Sequence, residues 1–411
     1  MSTNYSVGYL FEHAFDSQLK LRQRLRYFDH KEDTKATWTD ELDADQRTLN
    51  RWNEHRRDRS STLTSDTSLQ YDWRLADFAN TTLIGFDYLR EKHSTRRTDR
   101  TEAALDLYNP VYGVPLGDET PGRWGSDASK TTQVGFYLQN QTKIAEKWVI
   151  LLGGRHDQAR YDDTDLTTGE KLADGEKSRA FTGRAGLVYL AENGLAPYVS
   201  YSQSFEPTSG HDREGNRFKP TEGEQYEVGV RYQPKGTDTM LSAAVYTLTQ
   251  KNVLVTDPVS SSFSVQQGEV QSRGVELEAK TPIGRNVNLI AAYSYIDAKT
   301  TKSSPLTPEQ EGKRTSNIPV HTFSLWSDYR LAAFGLPGLQ IGAGARHVGS
   351  FTGWYDAPVS AVTLIDAMVS YTTGPWRVAL NVSNLTDKTY AADCCSFGEP
   401  RKATVTATYR W

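Results

Sequence analysis

Along most of the chain apolar and polar residues alternate one for one, and a period of two predicts strands rather than helices. In "YEVGVRY", Tyr226, Val228, Val230 and Tyr232 share a face opposite Glu227, Gly229 and Arg231. "FTGRAGLVY" sets Phe181, Ala185, Leu187 and Tyr189 against Thr182, Arg184 and Gly186. "WRVALNV" sets Trp376, Val378, Leu380 and Val382 against Arg377, Ala379 and Asn381, and "FSLWSDYRL" places Asp328 and Arg330 opposite Phe323, Leu325, Tyr329 and Leu331. The sequence closes on "ATVTATYRW", with Ala403, Val405, Ala407, Tyr409 and Trp411 on one face and Thr404, Thr406, Thr408 and Arg410 on the other. Charges recurring on the second face suit water, not a protein core. The apolar face is therefore expected to meet something other than protein.

The connections alternate in length. Short links at 15–17, 74–77, 145–147, 191–194, 233–238 and 372–375 carry turn residues, and long polar links fall at roughly 96–130, 161–178, 206–221, 251–268, 299–316, 349–360 and 385–401. Short turns on one side and long loops on the other are the pattern of an outer-membrane barrel. The stretch from Gln46 to Leu75 tests this, because no turn residue interrupts it. Its second half carries an apolar face of Leu63, Thr67, Leu69, Tyr71 and Trp73, about 11 residues and enough to span a bilayer obliquely. Its first half, "LNRWNEHRRDRSS", is polar on both faces and reads as the same strand projecting above the membrane. The fold class is thus all-β, a transmembrane antiparallel barrel with about 17 strands present. The first strand and the last both run toward the short-turn side, so closure needs an odd number of further strands, expected before residue 1. One barrel domain over residues 1–411 accounts for the whole sequence.

Composition narrows the function. Lys plus Arg number 47 against 51 Asp plus Glu, a net charge of −4, and no basic excess points to nucleic acid. No apolar run approaches the roughly 18 residues of a membrane helix. Aromatic residues make up 11% of the chain, with 22 Tyr and 9 Trp, as interfacial girdles require. Tyr226, Tyr232, Tyr293 and Tyr295 fit such a girdle, and Tyr409 and Trp411 would anchor the last strand at the membrane boundary and serve barrel assembly. No secretory leader precedes "STNYSVGYLFEH". Nucleophile elbows, zinc helices and phosphate loops are missing as motifs, and "GEKS" at 175–178 lacks a glycine-rich lead. The charges Glu227, Arg231, Glu276, Glu278, Asp328 and Arg330 read as wall charges facing water, and "HRRDR" at 55–59 as a solvated extension. No enzyme, cofactor or metal centre is expected.

"ALDLYNPVYG", "YVSYSQSFEPTSG", "GEQYEVGVRY", "AVYTLTQKNVL", "GEVQSRGVELEAK", "NVSNLTDKTY" and "RKATVTATYRW" together resemble, in order, the TonB-dependent siderophore receptors, above all those for ferrichrome and ferrioxamine. The resemblance implies a 22-strand barrel plugged by an N-terminal domain. Plug and TonB box lie outside this sequence. It further implies an iron(III)-siderophore cargo, a ferric hydroxamate first, with a catecholate, cobalamin or passive porin function as alternatives. The implied partners are the siderophore, the TonB–ExbB–ExbD complex acting through the plug, outer-membrane lipid and the barrel assembly machinery, for a monomer in the Gram-negative outer membrane.

The family's extracellular side carries an aromatic-lined vestibule, which makes Trp38, Tyr108, Tyr112, Trp124, Phe205, Trp354, Tyr355 and Phe397 the candidate siderophore contacts. Cys394 and Cys395 depart from the resemblance, since relatives separate two cysteines here by a spacer. Adjacent cysteines bond only through a strained local turn, and a free thiol pair and a vicinal disulfide both stay open.

Overall fold

The structure, a computed structural model, describes residues 1–208, 210–260, 263–353, 356–393 and 396–411. Its strands are β1 (Ser2–Ala14), β2 (Leu19–Leu42), β3 (Thr48–Leu75), β4 (Phe78–Asp106), β5 (Glu119–Pro121), β6 (Asp127–Ile144) and β7 (Trp148–Asp165). Then follow β8 (Lys171–Tyr189), β9 (Leu195–Glu206), β10 (Thr221–Tyr232), β11 (Met240–Thr256), β12 (Ser264–Ile283), β13 (Val287–Lys302), β14 (His321–Arg330) and β15 (Leu339–Val348). Last come β16 (Phe351–Thr352), β17 (Pro358–Val359), β18 (Val362–Thr373), β19 (Trp376–Ser383) and β20 (Lys402–Tyr409). Because β5, β16 and β17 are only two or three residues long, seventeen long strands remain among the described residues, in agreement with the alternation. Among the described residues no helix is long and apolar enough to cross a membrane, which says nothing of strands.

Two compact units divide the chain, and β6, β7 and β8 contribute to both. The first (Met1–Gln141, Gly153–Gly183 and Pro207–Pro220) holds the meander β1–β2–β3–β4, in which each strand pairs antiparallel with the next. The second (Thr142–Leu152, Arg184–Glu206 and Thr221–Trp411) holds the meander from β9 to β15, which passes to β18 and ends in β19 and β20.

Both meanders are single walls. The described chain exposes 25653 Å², where a compact monomer of 46.1 kDa would expose roughly 16,000 Å². Large apolar residues are exposed in a regular pattern. Leu69 and Tyr71 on β3, Ile84 and Phe86 on β4, Phe136 and Leu138 on β6, and Tyr226 and Val228 on β10 are all exposed at spacing two. This row suits hydrocarbon, and aromatic pairs bound it. Near the short turns Trp148 packs on Tyr189 at 4.7 Å and Trp376 on Tyr409 at 5.0 Å; toward the other end Tyr201 meets Tyr226 at 4.9 Å. Tyr409 also lies 6.4 Å from the Trp411 ring, so the last strand ends in three clustered aromatics.

The opposite face is polar and braced. Tyr198 donates to Glu227 at 2.6 Å and its ring lies where a side chain on Gly229 would stand; Tyr137 likewise donates to Asp66 at 2.9 Å across Gly85. A bare glycine lets the neighbouring ring lie flat on the strand, which stiffens a wall that has no second layer.

The long links are shorter than their polarity suggests. β4 continues to Asp106, β7 to Asp165, β8 begins at Lys171 and β11 reaches Thr256, so much of 96–130, 161–178 and 251–268 is strand. Likewise β13 runs to Lys302, into the expected 299–316 link. Above the bilayer neither face needs to be apolar, and the period of two vanishes while the backbone ladder persists. With 28 residues in β3 and 29 in β4, against about 11 for a bilayer, most of this hairpin stands clear of lipid.

Candidate ligand-binding site

The projecting hairpin places one group of side chains on the face that carries Asp66 and Asp72 lower down. Register decides this. Trp38 on β2 stands opposite Trp52 on β3, and Glu54 on β3 stands opposite Asp99 on β4. Period two keeps Trp52 and Glu54 on the same side as Asp66, the residue that Tyr137 holds on the inner wall.

The segment after β4 folds back over this face. Its β5 pairs with residues 98–100 of β4, and Gly122 donates its N–H to the Arg97 carbonyl at 3.1 Å. A Cβ on Gly122 would come within 2.6 Å of Arg97 Cβ and 2.9 Å of its carbonyl carbon, so the approach needs glycine. Arg123 N–H then donates to Asp99 Oδ2 at 2.9 Å, and the Arg97 guanidinium donates to the Trp124 carbonyl at 3.3 Å.

Three indoles converge as a result. Trp52 meets Trp124 edge-on at 4.9 Å, Trp38 meets Trp124 edge-on at 6.2 Å, and Trp38 stacks on Trp52 at 6.4 Å. Trp52 is buried at 5% exposure, whereas Trp38 and Trp124 are 45% and 58% exposed. The Arg123 guanidinium covers Trp52 at 4.0 Å from the ring centroid, a cation–π contact. Carboxylates ring the group. Trp38 Nε1 donates to Glu54 Oε2 at 3.1 Å, Arg97 Nε lies 3.3 Å from Glu54 Oε1, and Arg123 reaches Asp40 at 3.4 Å and Asp99 at 3.5 Å.

Beside the cluster, the stretch 107–118 carries Tyr108 and Tyr112, both strongly exposed. Asp106 fixes its start by accepting from the N–H groups of Tyr108 at 2.9 Å and Asn109 at 3.1 Å. The Arg47 guanidinium, 2.6 Å away, and those amides hold the Asp106 carboxyl down at about 2. Arg47 also sits 6.0 Å from the Tyr108 ring.

Of the expected contacts, Trp38 and Trp124 are thus brought together, and Tyr108 and Tyr112 belong to the same unit. Phe205 and Phe397 lie in the other unit. Phe205 sits within β9, in step with the exposed Val199 and with Tyr201 on the lipid-side face, while Phe397 is strongly exposed in the link after β19. Trp354, Tyr355, Cys394 and Cys395 fall outside the described residues.

Trp52 is not among the expected contacts, because "LNRWNEHRRDRSS" is polar on both faces and reads as a solvated extension. Burial of Trp52 and Glu54 beneath residues 122–125 corrects it. The even spacing from Trp52 to Asp66 was the available signal. "HRRDR" is indeed strand, yet it too is engaged, with His55 against Asp33 at 3.0 Å and Arg56 against Asp58 at 2.8 Å. Among the described residues no group of His, Cys, Asp and Glu could hold a metal ion.

A wall apolar outside and polar inside, girdled by aromatics and crowned by long hairpins, defines a membrane-spanning β-barrel. The family model "TonB dependent receptor-like, beta-barrel" matches residues 2–385, and the chain belongs to that family. Barrels of this family are outer-membrane proteins of Gram-negative bacteria, and so is this chain.

The sequence is 34% identical over 440 residues to the ferrichrome outer membrane transporter/phage receptor of Escherichia coli (strain K12), covering 98% of this chain and 58% of that protein. It is 35% identical over 415 residues to the ferrioxamine B receptor of Salmonella typhimurium (strain SL1344), covering 96% of this chain and 57% of that protein. Among solved structures it is similar in fold to the ferric-catecholate import receptor Fiu from K12 E. coli, with a TM-score of 0.82 at 21% identity, covering 99% of this chain and 64% of that one. The siderophore receptor PiuA from Acinetobacter baumannii gives 0.84 at 20% identity, again covering 99% and 64%. The chain therefore spans less than two thirds of each of these relatives. Those curated relatives are named as receptors and transporters, not as enzymes.

Proposed function

We propose that residues 1–411 are the barrel part of a receptor that takes up ferric siderophores across the outer membrane, with a ferric hydroxamate as cargo and TonB as the source of energy. The observation that carries this is the convergence of Trp38, Trp52 and Trp124 on the inward face of the projecting hairpin. Iron in such a chelate is already coordinated by the chelator's own oxygens. Recognition then falls to rings packing on an organic surface and a few polar groups, which is the chemistry these residues offer. The names of the ferrichrome and ferrioxamine relatives support the cargo class, and their greater length supports a plug and closing strands supplied by a longer polypeptide.

Within this reading Trp38, Trp124, Tyr108 and Tyr112 contact the chelate, and Phe397, in the other unit, is a candidate contact of its own. The ring of Tyr108 or Phe397, lost from a buried contact, should cost about 1 to 3 kcal/mol, roughly a five- to hundredfold loss of affinity. The test is iron-limited growth of a receptor-null host carrying the complete gene, with and without an active TonB system. Growth on a ferric hydroxamate that requires TonB is expected. Growth on a catecholate chelate and on no hydroxamate would overturn the cargo, and TonB-independent growth would point to a passive pore.

A further inference from the structure

The charge around the three indoles does not match a neutral ligand. Glu54, Asp99 and Asp40 face two guanidinium groups, those of Arg97 and Arg123. Glu54 and Asp99 stand directly opposite each other on paired strands, where like charges repel unless a cation lies between them. Both are buried, at 3% and 8% exposure, and Glu54 Oε1 accepts no hydrogen bond among the described residues. The two guanidinium groups are held differently. Arg97 is mostly buried, with 23% of its side chain exposed, and is tied to Glu54 and the Trp124 carbonyl. Arg123 is 41% exposed, and its ion pairs with Asp40 and Asp99 are long at 3.4 and 3.5 Å. Its firmest tie is through its backbone, whose N–H meets Asp99 at 2.9 Å, so another cation over Trp52 can replace the guanidinium while the backbone tie is kept.

We infer that this cluster is a cage for an organic cation, and that a pendant ammonium group of the cargo takes the position over Trp52 that the Arg123 guanidinium occupies here. The inference rests on the receptor reading above. Aromatic faces attract ammonium groups through the ring quadrupole, more strongly as water is excluded. Trp52 supplies a buried floor, and Trp38 and Trp124 supply exposed walls. With the Arg123 guanidinium displaced, three carboxylates are left with one guanidinium, and the cage then favours a replacement cation. A ferric hydroxamate with a free amine supplies one; the same chelate with its amine acylated does not.

The experiment compares two probes on the complete receptor in detergent: the iron(III) complex of a linear trihydroxamate with a terminal primary amine, and the same complex with that amine acetylated. Equilibrium binding is read from quenching of tryptophan fluorescence and checked by retention of radioactive iron. The amine form is expected to bind at least tenfold more tightly. Asp40→Asn, at an exposed position, should narrow that gap. Arg123→Gln should widen the affinity gap between the amine and acetylated forms, whereas a purely structural role for Arg123 would weaken both alike and leave their ratio unchanged. Equal affinity of the two probes, or an unchanged ratio of the two in Arg123→Gln, would overturn the cage. If neither probe binds a correctly folded receptor, the hydroxamate reading itself falls, and the inference with it.

Discussion

Replacing Trp52 by alanine should release the segment 119–126 from the hairpin without unfolding the wall. The ring makes two contacts that this segment needs, one with Trp124 at 4.9 Å and one with the Arg123 guanidinium at 4.0 Å. An aromatic pair is worth about 0.5–1.5 kcal/mol beyond area burial, and a partly exposed cation–π contact about 0.5–2 kcal/mol. Their sum centres near 2 kcal/mol, or about a 30-fold rise in the population of the open segment. β2, β3 and β4 should persist, since their ladders run unbroken from the short turns up to residue 52 and do not depend on one indole. Hydrogen exchange supplies the probe. The amides of Gly122, Arg123 and Gly125, which donate to the Arg97 carbonyl, Asp99 and the Gly122 carbonyl, should exchange about 30-fold faster in the variant. The amides of β3 below the site should not change. Exchange at those three positions altered by less than about threefold would show that the backbone contacts alone hold the segment, and the role given to Trp52 would be wrong.

Gly122→Ala should have a similar local effect by a different route, because its Cβ would press on Arg97, and faster trypsin cleavage after Arg123 in an intact barrel would report it. Arg155→Ala removes the guanidinium that joins Asp87 to the buried Asp157, leaving Asp157 with Gln133 at 3.0 Å. Discounted for the partial exposure of Arg155, a loss of about 2–3 kcal/mol is expected, read as a lower urea midpoint and partly recovered by adding Asp157→Asn. The Asp106 anchor should be indifferent to pH from neutrality down to about 4. Its carboxyl is depressed to about 2 from the ordinary 3.8, so its stabilisation is complete above 3.8 and lost as pH falls through about 2, which exchange at Tyr108 and Asn109, corrected for intrinsic rates, would follow.

The wall of this protein was legible in its sequence because a single-layer sheet in lipid imposes one rule at each membrane-spanning position. Every second residue must tolerate hydrocarbon and its neighbour water, and that rule set the strand faces, the short turns and the terminal aromatics of β20 directly. Above the bilayer the rule lapses. β2, β3 and β4 are polar on both sides there, so the sequence could show that Trp38 and Trp124 lay near loops but not that a register of 38 against 52, a close approach at Gly122 and the fold-back of residues 119–126 would gather them with Trp52. Periodicity reports which solvent a face meets, and it is blind to which distant residues share that face. Contacts between residues as far apart as 38 and 124 arise only when the hairpin is paired and the loop laid back upon it. The buried Glu54 and Asp99, and the Arg123 side chain held over an indole, are consequences of that pairing alone.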